Sequence, residues 1–361
     1  AYGLILSGSD SNTTSLTGNI TTAGDGSTGL SLASSNSNTT NLTGNITTAG
    51  DNAYGLSLAS SNSNTTTING NISTTGNAAF GLYLNTSDSN TTNLTGNITT
   101  TEDNARGLFL VNSDSNTTNL TGNITTAGDA AYGLFFANSS DSNTTNLTGN
   151  ITTTGDAAYG LYLNDSDSNT TNLTGNITTA GTQAYGLYLN TSDSNTTTIN
   201  GDIITSGTDG DSEPILLRNS DSNTFILSGA VHSLGGDQAI AVDATSQNNT
   251  FTFKRGVSFI GGLENNGGTT NKLIFDMGKA SSYNLDTDET TWTLEDPYKP
   301  IVSGSAKSMG VADIDNQAHI LYRRMDPVND VLSERQRLYT EGQRPTGYYM
   351  DSYYGHDKRD E

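Results

Sequence analysis

The 361 residues include no cysteine, one tryptophan, three histidines and five prolines. Without Cys there is neither a disulfide framework nor thiolate chemistry, which suits a chain that must cross membranes unfolded. No apolar run reaches the roughly 18 residues that a membrane helix needs. Basic residues are scarcer still where most of the chain lies. Between residues 1 and 253, Arg106 and Arg218 are the only Lys or Arg, against 20 Asp and Glu, and the whole chain carries −22. Such a surface repels phosphate backbones, which excludes nucleic acid as a partner, and it keeps an elongated molecule soluble and unassociated. Helix formers are few, and apolar residues do not recur at helical spacing in the repeated part, so helical repeats are excluded there. The histidines (His232, His319, His356) are scattered, and no Ser/His/Asp set or pair of carboxylates in a loop insertion stands out. The chain therefore reads as a non-enzyme. A glycan-degrading β-helix would need a charged cleft that uniform repeats do not supply.

What is present is repetition. The stretch from Gly81 to Thr100, Gly-Leu-Tyr-Leu-Asn-Thr-Ser-Asp-Ser-Asn-Thr-Thr-Asn-Leu-Thr-Gly-Asn-Ile-Thr-Thr, recurs along more than half of the chain. Its second glycine returns at 18, 44, 70, 96, 122, 149, 175 and 201, a step of 26 residues and once 27. A fixed period of that size marks a solenoid, in which units that cannot bury their own apolar face stack to make a core. Leu82 and Leu84 are two apart, so a strand sends both to one side and Tyr83 to the other. Leu94, Gly96 and Ile98 keep that phase. Thr and Ile favour pleated, half-buried surfaces, and Asn-Thr, Gly-Asn and Gly-Asp supply corners because Gly and Asn tolerate positive φ.

The expected fold is all-β: a parallel β-helix, or β-solenoid, of coils of about 26 residues with two or three strands each. Leu82, Leu84, Leu94 and Ile98 meet Leu108, Leu110, Leu120 and Ile124 of the next coil in a core ladder. Asn38, Asn64, Asn90, Asn116, Asn143 and Asn169 line up at one corner and can hydrogen-bond along the axis. The one-residue insertion at Ser139-Ser140 falls at a turn. Twelve or so coils at about 4.8 Å each make a rod on the order of 60 Å long.

Regular coils occupy 1–207. From 208 to 300 the pattern degenerates and the side chains grow (Phe251, Phe253, Phe259, Phe275, Trp292), as expected of a cap that closes an open end. Residues 301–346 read as a linker with a helix over about 326–341, where Asp326 caps, Pro327 fits the first turn and Gly342 follows the last periodic residue. An aromatic-rich tail covers 347–361.

The order of these segments resembles a bacterial autotransporter of type V secretion. Gly256-Val-Ser-Phe-Ile-Gly-Gly-Leu-Glu-Asn-Asn-Gly267 and Asn271-Lys-Leu-Ile-Phe-Asp276 are similar to the last passenger coils of that family. Val311-Ala-Asp-Ile-Asp315 followed by a helix is similar to the segment joining passenger to barrel. Gly347-Tyr-Tyr-Met-Asp-Ser-Tyr-Tyr-Gly355 is similar to the first strand of the outer-membrane barrel. The resemblance implies an extracellular passenger at the bacterial outer-membrane surface, with a translocator barrel beyond Glu361 in the precursor and the helix threading its pore. Barely one barrel strand is present, so membrane contact would come only through a barrel outside this chain. Ala1-Tyr2-Gly3-Leu4 begins inside a repeat, which suits a processed or trimmed piece of something longer.

Four features are candidates for function. Tyr83, Phe109, Phe135, Tyr162 and Tyr188 share one outward position, with Ser31 and Ser57 before them, and could hold sugar rings or a partner surface. Tyr54, Phe80, Tyr132, Tyr159 and Tyr185 form a second column, in phase with the Leu pair and so expected to pack at a corner. Asp88, Asp114, Asp141, Asp167 and Asp193 would repel one another at a spacing of about 5 Å. Calcium would relieve that, but Asn36 and Asn62 in earlier coils favour solvated turn residues. Apart from calcium no cofactor is implied. Outward Thr and Asn (Thr91, Asn93, Thr95, Asn97, Thr99) make a lattice similar to ice-binding solenoids, though Asn interrupts the hydroxyl rows. Sequons such as Asn41-Leu-Thr follow from Asn corners and Thr strands. The function expected is a surface rod acting in adhesion or self-association, with surface glycans or other copies of itself as partners. The alternative is a structural subunit of an extracellular filament or coat.

Overall fold

The computed structural model describes residues 1–208, 210–236, 238–278 and 291–297 with their side chains, and the backbone of short strands at 283–286, 301–304, 307–310, 349–350 and 357–358. The helix expected over 326–341 lies outside the described residues, as does most of the tail.

Each coil has three strands. The first contributes β1 (Tyr2–Ser7), β2 (Thr13–Thr17) and β3 (Ile20–Ala23). Each pairs in parallel with its counterpart one coil on: Tyr2 with Thr28, Thr13 with Thr39, Ile20 with Ile46. Propagated along the chain, this builds three parallel faces of 11, 12 and 10 strands. The molecule is a β-solenoid, and its ten complete coils span about 50 Å at the usual strand spacing. Like residues meet like: Leu82 pairs with Leu108, Leu94 with Leu120 and Ile98 with Ile124.

Leu94 and Ile98 do not share a strand. Gly96 takes φ +147 and breaks the run, so Leu94 closes the second face and Ile98 opens the third. Both still reach the axis, because each face turns its own alternate residues inward. Leu82, Leu84, Leu94 and Ile98 are at most 2% exposed. The turn from first to second face is made by Ser89 in the Asp-Ser-Asn triplet, at φ 58, and by its equivalents Ser37 to Ser222 at 56–59.

Polar ladders clamp the coils together. The Asn38 backbone N–H and its Nδ2 both donate to Asn64 Oδ1, at 2.8 and 3.1 Å, while Nδ2 also donates to Ser9 O at 2.7 Å. The ladder continues through Asn90, Asn116, Asn143 and Asn169 and on to Asn195, Asn223, Asn249 and Asn271. All are at most 2% exposed, so each amide replaces water for the backbone at a buried corner. A second ladder, of serines, runs beside it. Ser35 N–H donates to Ser61 Oγ, Ser61 to Ser87 and Ser87 to Ser113. The inserted residue before Ser140 is absorbed beside it, with Asn138 and Ser139 both at positive φ.

Buried threonines fill the space between the aliphatic columns. In the first four coils the Thr22, Thr48, Thr74 and Thr100 hydroxyls find no partner, whereas Thr126, Thr153 and Thr179 donate to Ala131, Ala158 and Ala184 carbonyls at 3.0–3.2 Å. Towards the far end the core enlarges as expected. Phe225 stacks on Phe251 at 4.7 Å, and Trp292 meets Phe251 edge-on while its Nε1–H donates to Leu263 O. Lys254 pairs with Asp276 and Lys272 with Glu295 outside these rings.

Candidate functional site: an aromatic stripe on the first face

The stripe begins with a glycine. A Cβ on Gly81 would lie 2.4 Å from Ile98 Cγ2 and 2.7 Å from Gly107 O. No side chain fits there, and the same holds in the coils on either side. Gly81 and Leu82 thus both face the interior, which breaks strict alternation and turns residue 80 outward. This corrects the expectation that Tyr54, Phe80, Tyr132, Tyr159 and Tyr185 lie in phase with the Leu pair. The Phe80 ring contacts Tyr83 at 5.3 Å, and Tyr159 contacts Tyr162 at 5.3 Å, edge to face. The two aromatic columns are one surface.

Along the axis the rings stack. Phe109 and Phe135 lie 4.9 Å apart at 5°, Phe135 and Tyr162 4.8 Å at 7°, and Tyr162 and Tyr188 4.9 Å at 1°. Tyr132 and Tyr159 repeat this in the other column, at 4.9 Å and 10°. Within the stripe each ring therefore covers its neighbour's π-face, and the solvent meets edges and hydroxyls. Phe135 and Tyr188 are buried; Tyr83, Phe109 and Tyr162 are half-buried. Flat stacking of a sugar on these faces, the use first suggested by the sequence, is blocked by the neighbouring coils.

Burial raises the Tyr hydroxyls. Tyr162 and Tyr185 are pushed up to about 12 and Tyr159 further, chiefly by desolvation and then by adjacent groups. In the unfolded chain they ionise near 10. Their protonated state therefore adds no pH dependence below pH 10, and stability falls as pH rises from 10 through 12, because only the unfolded form releases the protons. We expect alkaline unfolding in that window, followed by far-UV circular dichroism. Tyr162→Phe with Tyr185→Phe should flatten it.

Arg106 occupies the position of Phe80 and Tyr132 in the adjacent coils. Its guanidinium carbon sits 4.6 Å from the Phe109 ring centre, 5.0 Å from those of Phe80 and Phe135 and 5.5 Å from that of Tyr132.

The Asp column is a ladder as well. Asp114 N–H donates to Asp88 Oδ1 at 2.8 Å, Asp141 to Asp114 at 2.8 Å, Asp167 to Asp141 at 2.6 Å and Asp193 to Asp167 at 2.7 Å. Asn36 and Asn62 accept in the same way in the earlier coils, which explains why amide and carboxylate interchange. One oxygen of each carboxylate is thus engaged by backbone. The Asp141 carboxyl is raised by partial burial, offset by the Asp167 N–H, with neighbouring Asp charges adding to the rise. Among the described residues no three His, Cys, Asp or Glu side chains converge as a metal would require.

The Thr/Asn lattice divides between two faces. Thr91, Asn93 and Thr95 lie on the second, Asn97 at the corner and Thr99 on the third. On the second face Asn93, Asn119, Asn146 and Asn172 form an outer amide ladder at 2.9 Å. No strand before residue 254 contains Asp or Glu; acids sit at corners.

Among the described residues no helix is long and apolar enough to cross a membrane. Comparison of the chain with protein families, with curated proteins and with solved structures finds no match. The class the fold defines is a parallel β-solenoid rod with three β-sheet faces.

Proposed function

We propose that this chain is an adhesive rod of a bacterial surface, the passenger stem of an autotransporter-like protein, which holds surface glycans or a partner cell surface along its aromatic stripe. The observation carrying this reading is the stripe itself: ten rings in two interleaved columns on an otherwise acidic, hydroxyl- and amide-rich rod. Tyrosines that bury the ring body and leave the hydroxyl end wet are enriched at interaction sites. Ring edges recur in six successive coils and tyrosine hydroxyls in five of them, so weak contacts at each rung sum to firm attachment. The secretory part of the reading rests on the resemblance of residues 208–361 to the passenger–barrel junction.

Tyr162→Ser with Tyr188→Ser tests it. Ser31 and Ser57 hold the same register as Tyr83, so the variant should keep the fold while attachment to glycan arrays or cells drops at least about tenfold. Unchanged attachment would end the proposal. A second reading, lateral assembly into a filament or coat, is favoured by the second face, where the strands between Thr13 and Ser228 carry no charged residue and repeat at the same spacing in any second copy. Electron microscopy separates the two, since ordered polymers support assembly and single rods support an adhesin.

A further inference from the structure

Arg106 is out of keeping with its surroundings. A guanidinium is almost never buried without a partner, and one that loses water without a counter-charge is costly. Here four rings enclose it, yet no carboxylate in the described residues pairs with it; the ion pairs there are Lys254–Asp276 and Lys272–Glu295. Its buried Nε has no hydrogen-bond partner. Burial lowers its pKa, and the neighbours that oppose this are the Tyr132 and Tyr83 hydroxyls rather than any acid. Nor is Arg needed to fill the column, because Tyr54, Phe80, Tyr132, Tyr159 and Tyr185 fill the same position elsewhere.

We propose that the edge of the Arg106 guanidinium is a binding site for one carboxylate carried on a sugar, such as the acid group of a terminal uronic acid. The rings lie against it in cation–π contact and Nε is buried, which leaves the two terminal Nη groups as the donors that can receive a ligand. That pair matches the two oxygens of a carboxylate. The flanking Tyr83 and Tyr132 hydroxyls suit the hydroxyl groups of a sugar ring. A single charge is favoured over a polyanion because the corner acids on every coil repel extended negative chains. This deepens the stripe reading and rests on it.

The test uses the full chain at low ionic strength, with methyl glucuronide and methyl glucoside, which differ at the carboxylate, titrated by ligand-observed NMR. We expect the glucuronide to bind at least about tenfold more tightly, as a charge-assisted contact allows. Arg106→Tyr, which restores the residue type of the other coils, should abolish that preference with an unchanged circular dichroism spectrum. Arg106→Lys should restore only part of it. Equal binding of the two sugars by the native chain, no binding of either, or a preference that survives Arg106→Tyr each overturns the Arg106 site. The Tyr162/Tyr188 attachment assay decides the stripe reading separately, so the two can fail independently.

Discussion

Gly122→Ala should unfold the middle of the rod. Its backbone stands at φ +147, and a Cβ there would lie 2.1 Å from Gly96 O and 2.6 Å from Gly96 C. Those atoms belong to the preceding coil's backbone, which is itself hydrogen-bonded on both sides and cannot step aside. To admit one methyl group, two coils must separate at the corner where Gly96 N–H donates to Thr121 O and Gly122 N–H to Thr148 O. We expect a loss of about 4 kcal/mol or more, the range reserved for changes that break a structural element. Gly18→Ala is the control. Gly18 has a similar φ of +136, but nothing lies within 4 Å of its added Cβ. It should cost only about 1–3 kcal/mol, the penalty for holding a residue with a side chain in sparsely populated backbone space. Urea midpoints of the two variants compare them directly; equal losses would show that conformation rather than coil stacking makes these glycines necessary.

Asn116→Ala should be the second most damaging change. Asn116 Oδ1 accepts from both the backbone N–H and the Nδ2 of Asn90, and its own Nδ2 donates to Asn143 Oδ1. Truncation leaves two donors of Asn90 without this acceptor in a corner that is 1% exposed. Each buried group stripped of its partner costs about 1–3 kcal/mol, so a loss of roughly 3 kcal/mol or more is expected. Asn119→Ala removes an amide of the same type from the half-exposed outer ladder of the second face. Water can replace its bonds, and the loss should stay below about 1 kcal/mol. Native-state hydrogen exchange should place the opening caused by Asn116→Ala in the coils on either side of it, since a solenoid is held by nearest-neighbour contacts. Uniform loss of protection along the rod would contradict that picture.

Much of this was legible without coordinates because a repeat constrains itself. Leu82 and Leu84 can be buried in one coil only if Leu108 and Leu110 are buried in the next, so spacing reveals the core. The Asn column was readable for the same reason, since a residue returning at every corner must meet its own copy. Other features hid from pattern reading. The Ser ladder looked like ordinary turn composition. The two aromatic columns seemed to point opposite ways, because alternation was counted straight through Gly81. Arg106 counted only as one of two basic residues before 254, since only stacking reveals that rings lie above and below it.

The amino-acid sequence by itself determined the period, the aliphatic spine and the placement of the Asp column at turns. These follow from local preferences for strand and turn, multiplied by strict repetition. Only the tertiary structure decided that each coil has three strands, which way the aromatics face, that their π-surfaces cover one another, and that Arg106 stands among them with no carboxylate of the described residues paired to it. Those outcomes depend on the close fit of Gly81 over Ile98 and on the spacing between coils, which are distances across the fold rather than along the chain.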